Sequence, residues 1–291
     1  MEPIDFVITW VDGSDPAWQK EKAEYSPKKE EKTDIGRYRD MELLPYWFRA
    51  VEAYAPWVRT IHFVTWGHVP AWLDTNHPKV HIVKHSDFIP AEYLPTFSAN
   101  PIELNMHRIE GLAENFVYFN DDFFLNAPVE PEFFFKNGLP CDYFLLNYMF
   151  FKKYWDRFGL MIANNYAVIN SHFSRKDLFK HLAKIFSPAH SFGDWKKNLQ
   201  YLLRKHSYIS VLDNPHLPHS FKKSYFEKLW DMEPEICAET SQSKFRKPTD
   251  ITSWLVRDLQ LMEGSFTPVS RKSRGKYFSL ESATAEKSQQ G

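Results

Sequence analysis

The chain has 291 residues, 43% of them hydrophobic, enough to bury a substantial core in one large domain or two small ones. Lysine and arginine (36) nearly cancel aspartate and glutamate (37), and the net charge of −1 argues against a dedicated nucleic-acid binder. Cys141 and Cys237 stand far apart with no C-x-x-C partner, so neither a disulfide framework nor a zinc cluster is indicated and a reducing compartment fits.

The chain enters directly at Pro3-Ile4-Asp5-Phe6, without a basic region followed by an apolar signal segment. Nor is any apolar run long enough to cross a bilayer, so export and membrane spanning are both unexpected. The expected location is cytoplasmic, with peripheral association at the inner face of the membrane left open. The aromatic content of 17% serves sugar stacking or ordinary packing equally well.

Phe6-Val7-Ile8-Thr9-Trp10-Val11 reads as a buried strand stopped by the turn Asp12-Gly13-Ser14-Asp15-Pro16. Leu44, Trp47, Phe48 and Val51 recur at helical spacing, with Asp40 or a neighbour as cap and Pro45 in the first turn. Ile61–Thr65 and Val80–Val83 supply two more strands. Ile102, Met106, Ile109, Ala113 and Phe116 then mark the buried face of a helix leading into Val117-Tyr118-Phe119. Past Pro128, aromatic runs alternate with helical stretches near Arg175–Phe186 and Asp194–Lys205.

This order predicts an α/β fold: a largely parallel, Rossmann-like sheet with helices on both faces and a mostly helical C-terminal half. Residues 1–269 are expected to form a single catalytic domain, with 1–130 as its nucleotide- and metal-binding part and 131–269 completing the site. The mixed-charge stretch Lys28–Lys32 reads as a solvated loop or helix end, and the polar segment 270–291 as a flexible tail.

Open α/β sheets bind ligands beyond the carboxyl ends of their strands, where Asn120-Asp121-Asp122 falls. Two adjacent carboxylates there suit Mg²⁺ or Mn²⁺, ions that join one or two carboxylates to substrate phosphates, but a capping turn explains them too. Asp12 and Asp15 occupy the equivalent position after the first strand, with Gly13 allowing close backbone approach, or the three form an ordinary turn. Glu103 and His107, four residues apart, fall on one side of the expected helix beside Arg108, as cleft residues or as surface groups. In Asn214-Pro215-His216-Leu217-Pro218-His219, two prolines stiffen a segment carrying two histidines, which suits a general base or is incidental. Lys244-Phe245-Arg246-Lys247 offers cations for a diphosphate, or a basic surface loop.

Several of these segments together, in order, resemble the Stealth family of capsule and exopolysaccharide phosphotransferases, which also includes the lysosomal-enzyme GlcNAc-1-phosphotransferase. Ile4–Asp15 is similar to the family's first conserved block. The second runs through Arg37-Tyr38-Arg39-Asp40, Ala55-Pro56-Trp57-Val58-Arg59, Leu94-Pro95-Thr96-Phe97-Ser98 and His107-Arg108-Ile109-Glu110-Gly111-Leu112, ending at Tyr118–Asp122. The third is His216-Leu217-Pro218-His219.

The resemblance implies binding of a UDP-sugar and a divalent metal, Mg²⁺ or Mn²⁺, and transfer of sugar 1-phosphate to a glycan or polysaccharide acceptor with release of UMP. It makes Asp121 and Asp122 the metal and catalytic carboxylates, His216 the catalytic histidine with His219 competing, and Arg246 a phosphate-binding arginine. Asp12, Gly13, Asp15, Arg39, Ser98, Glu103, His107 and Arg108 become substrate-binding residues. The histidine serves either as a base or as a nucleophile that carries the phosphoryl group. Two other readings stand beside this one: a metal-dependent glycosyltransferase that releases UDP, and a non-catalytic carbohydrate-binding module.

Overall fold

The computed structural model describes residues 2–26, 38, 41–151, 156–205 and 207–278. Arg39, with Arg37 and Asp40, lies outside the described residues, as do 28–32 and the end from 279 on. The first half runs β1 (Ile4–Thr9), α1 (Pro16–Tyr25), α2 (Leu44–Tyr54), β2 (Ile61–Thr65), β3 (Val80–Lys84), α3 (His85–Phe88), α4 (Ala99–Asn105) and β4 (Asn115–Phe119). The second continues with β5 (Phe135–Lys136), β6 (Leu139–Asp142), β7 (Leu146–Asn147), α5 (Arg157–His172), α6 (Arg175–Leu178), α7 (Leu182–Ile185) and α8 (Phe192–Leu203). It closes with β8 (Val211–Leu212), β9 (His219–Lys222), α9 (Lys223–Met232), α10 (Pro234–Ser241), α11 (Trp254–Met262) and β10 (Thr267–Pro268).

The central sheet has the order β3-β2-β1-β4-β9. Its first four strands are parallel and β9 is antiparallel to β4, so the expected α/β class and largely parallel sheet are what the chain forms. Side-chain alternation divides the sheet between two apolar clusters. Ile4, Phe6 and Ile8 of β1 pack with Leu44, Trp47 and Val51 of α2, whereas Val7 faces the side covered by Leu104, Phe226, Leu229, Leu255 and Leu259. The C-terminal helices therefore cover one face and α2 the other.

Two expectations change in detail. The helix read through Ala113 stops at Asn105, tightens into a 3₁₀ turn over Met106–Arg108, and meets Gly111 at φ 74°. Ile109, Ala113 and Phe116 are buried all the same, from a turn and a strand, which mimics the spacing of one helical face. The segment expected as a tail from Ser270 is packed as far as Arg274. Arg274 is 8% exposed, donates to the Phe133 carbonyl and lies 4.6 Å over the Phe133 ring, a cation–π contact that a polar composition does not reveal. Among the described residues no helix is long and apolar enough to cross a membrane.

Trp47 is fully buried between α2 and the sheet, against Phe48 and Phe119. Trp47→Ala should lower unfolding free energy by about 3–5 kcal/mol in a denaturant titration, whereas Trp72→Ala, at a half-exposed position, should cost under about 1 kcal/mol. Equal costs would contradict the packing described.

Candidate active site

The turn after β1 uses its acidic groups locally. Asp12 Oδ1 accepts the backbone N–H and hydroxyl of Ser14 at 2.8 and 2.6 Å, and these bonds hold its carboxyl below the usual range. Asp15 caps α1, accepting the Trp18 N–H at 2.9 Å. A Cβ on Gly13 would lie 2.0 Å from the Tyr38 carbonyl oxygen, so glycine here makes room for another stretch of this chain.

The turn after β4 is different. Asp121 and Asp122 are exposed and line a cleft of about 1480 Å³, together with Trp10, Phe123, His216 and Tyr277. His216 arrives from 94 residues away, and its Nε2 lies 3.1 Å from Asp122 Oδ2. Phe123 and Tyr277 meet the imidazole edge-on, with centroids at 4.7 and 5.4 Å. Asp12, Gly13 and Asp15 do not line this cleft.

The competing histidine is placed otherwise. His219 begins β9, is 6% exposed, and accepts the Trp254 indole N–H on Nε2 at 2.7 Å. Burial pushes its pKa down to about 3, which keeps it a neutral acceptor, and it does not line the cleft.

Glu103 and Arg246 belong to a second polar group, at the carboxyl ends of β1 and β4. Thr9 Oγ1 lies 3.0 Å from Tyr118 Oη, which donates to Glu103 Oε1 at 3.1 Å, and the Ser253 hydroxyl donates to Glu103 Oε2. Burial raises the Glu103 pKa, opposed by the Ser253 bond and the charge of Arg246. Burial also raises that of Tyr118, and the charge of Asp121 adds to it. Asp121 and Arg246 are thus within electrostatic reach of one hydrogen-bonded pair. Ser98 is buried with its hydroxyl unpartnered among the described residues.

His107 and Arg108 are not cleft residues. The 3₁₀ turn that ends α4 breaks the four-residue spacing that was to align Glu103 with His107. His107 instead stacks on Phe226 at 6.3 Å, with burial pushing its pKa down to about 4. Arg108 lies 4.8 Å over Trp230 and donates to Asn105 Oδ1 at 3.1 Å.

Sequence reasoning missed Arg257. It is 1% exposed on α11 and grips Asp142 through two bonds of 2.7 and 2.8 Å. Its Nη1 also donates to Asn214 Oδ1 at 2.6 Å and to the Asp213 carbonyl at 3.0 Å, just before His216. Burial would raise the Asp142 carboxyl, but the Arg257 charge outweighs it and holds it below its usual range. Next door, burial pushes Asp258 up to about 7 despite Arg257. The signal was available: Arg257-Asp258 interrupts the otherwise largely apolar run Trp254–Met262.

His219 generates a pH prediction. Its folded pKa lies below the ordinary 6.5, so the unfolded chain binds a proton that the folded chain refuses, and stability is lost as pH falls from 6.5 toward 3. The denaturation midpoint should fall through that window, and less steeply for His219→Gln. Parallel declines would show that His219 contributes nothing to the acid sensitivity.

Comparison with known proteins returns two family models: Stealth protein conserved region 1 over residues 2–30 and conserved region 2 over residues 37–142. The chain is 40% identical to the receptor polysaccharide phosphotransferase WefC of Streptococcus oralis, over 97% of this chain and 85% of that protein. It is 39% identical to a capsular polysaccharide phosphotransferase WcwK of Streptococcus pneumoniae, with the same shares covered. To the exopolysaccharide phosphotransferase cps2G of Lactiplantibacillus plantarum it is 40% identical, over 91% of this chain and 77% of that one.

Proposed function

The chain belongs to the Stealth family, and from that membership we propose that it transfers a hexose 1-phosphate from a UDP-sugar to a hydroxyl of a glycan acceptor, in capsule or exopolysaccharide synthesis. The coarser part, a phosphotransferase acting in polysaccharide synthesis, is supported by relatives about 40% identical over nearly the whole chain. The UDP-sugar donor and UMP as leaving group are the finer part. The observation that carries the site is the 3.1 Å contact between Asp122 and His216.

In the proposed step the acceptor oxygen attacks the phosphorus that bears the sugar. The bond from that phosphorus to the bridging oxygen of UMP breaks in line, and UMP leaves with the electron pair. The hydroxyl proton passes to His216. With Nε2 facing the Asp122 carboxylate, the imidazole holds its own proton there and keeps Nδ1 free to accept another. Arg246 is the proposed phosphate partner, set on the Glu103 side of the sheet end.

Asp121 and Asp122 would hold Mg²⁺ or Mn²⁺, which supplies positive charge to phosphate oxygens. The residues fit such an ion in that two exposed carboxylates share one turn on the cleft. That donor set suits an ion that takes few protein ligands and completes its shell with substrate and water, and not a closed structural site.

The test is to incubate the protein with a panel of UDP-sugars and an acceptor polysaccharide, then identify the nucleotide released. UMP release that stops with a chelator and returns with Mg²⁺ or Mn²⁺ is expected. Release of UDP would mean that the sugar–oxygen bond breaks, and the chain would be a glycosyltransferase.

A further inference from the structure

Helix α8 presents apolar side chains to solvent as well as to the core. Its inward side carries Asp194, Asn198 and Tyr201, each 7% exposed or less. Asn198 accepts the Leu146 N–H at 2.8 Å and donates to the Phe144 carbonyl at 2.9 Å, so its amide anchors the helix to the fold. The outward side carries Phe192, Leu199 and Leu203, exposed by 82%, 49% and 74%. At 3.6 residues per turn these three fall within about 40° of one another, a single apolar stripe along the helix.

One border of that stripe carries Lys196; Arg204 and Lys205 follow its last turn, Lys197 lies farther round the helix, and Trp195 and Leu202 border the other side. Lys196, Lys197, Arg204 and Lys205 are all exposed, whereas the helix's acidic residue, Asp194, faces inward beside the Ser191 hydroxyl and Arg271. Arg175 donates to the carbonyls of Leu202 and Arg204, which fixes the last turn so that the stripe is presented rigidly. Beyond it stands Tyr208, 70% exposed, whose carbonyl accepts from Tyr201. Phe150, 81% exposed, follows two residues after Tyr148, a ring packed on Tyr201 at 5.2 Å with the Arg204 guanidinium 5.4 Å away.

We propose that this face docks on an anionic phospholipid bilayer, with Phe192, Leu199 and Leu203 entering the headgroup region and Lys196, Arg204 and Lys205 meeting lipid phosphates. Apolar side chains in a stripe, with lysine and arginine beside them, are the pattern of a helix lying in the plane of a membrane interface. Burial of two or three such side chains, added to attraction to a negative surface, is enough for reversible binding. A second copy of the chain fits less well, because a two-fold contact would set these basic side chains against each other.

Co-sedimentation of the full chain with phosphatidylcholine vesicles, with and without phosphatidylglycerol, tests this. Binding should require phosphatidylglycerol and weaken as salt rises. Phe192→Ser with Leu203→Ser should reduce partitioning by roughly tenfold or more, and Lys196→Gln with Lys205→Gln should weaken the preference for the anionic lipid. Thermal melting confirms that the variants are folded, and the lysine pair alone decides the matter if the apolar pair misfolds. No pelleting with anionic vesicles, or pelleting unchanged by the substitutions, would overturn the proposal. A dimer dissociated by Leu203→Ser, without vesicle binding, would instead make the stripe an interface between copies.

Discussion

Strand β9 pairs antiparallel with β4, Tyr118 opposite His219, and closes one edge of the central sheet. Carrying that register three residues past its last pair sets His216 opposite Asp121, at the point where β4 gives way to the acidic turn. The same ladder turns His219 into the core. One pairing thus decides which histidine faces the cleft, and brings together groups that the chain separates by 94 residues. It is non-local contact of this kind that local periodicity cannot report.

Helix α11 secures both ends of that strand. Gln260 accepts the Lys222 N–H at 2.8 Å and donates to the Ser220 carbonyl at 3.2 Å, satisfying backbone groups that an edge strand would leave open. One turn earlier, Arg257 holds Asp213 and Asn214. A buried arginine–carboxylate pair adds little net stability over a well-packed apolar pair, since desolvation offsets much of the attraction. What Arg257 contributes is position: its planar group makes bonds in fixed directions, and the segment leading to His216 has few alternatives.

The sequence made the strands legible where apolar β-branched and aromatic runs ended at turn residues, as at Ile61–Thr65 and Val80–Lys84. It located the turn Asp121–Asp122 because β4 ends one residue before Asn120. It failed where one spacing had two geometric causes. Ile109, Ala113 and Phe116 repeat as a helical face would, yet the 3₁₀ turn over Met106–Arg108 and then Gly111 at positive φ intervene, and Glu103 and His107 part company at that turn. Asp12 and Asp15 were read as ligands or turn residues, and their hydrogen bonds serve the turn and the helix cap. Arg257 went unread because a charge inside an apolar stripe gains meaning only from partners at Asp142 and Asn214, distant along the chain. For Glu103 and Arg246 the sequence leaves cleft and surface both open, and the link of Glu103 to Arg246 and to Tyr118, on β4, becomes visible only in the fold.

The central claim is that Asp122 and His216 act as one unit, and a double-mutant cycle on kcat/KM for polysaccharide phosphotransfer measures this directly. Asp122→Asn, His216→Gln and the double variant are compared under one set of conditions. Groups that act together lose their joint effect when either is removed, so the double variant should be only slightly slower than the more damaged single variant. If the two losses multiply in full, the residues work independently, and the contact between them is not the basis of the site.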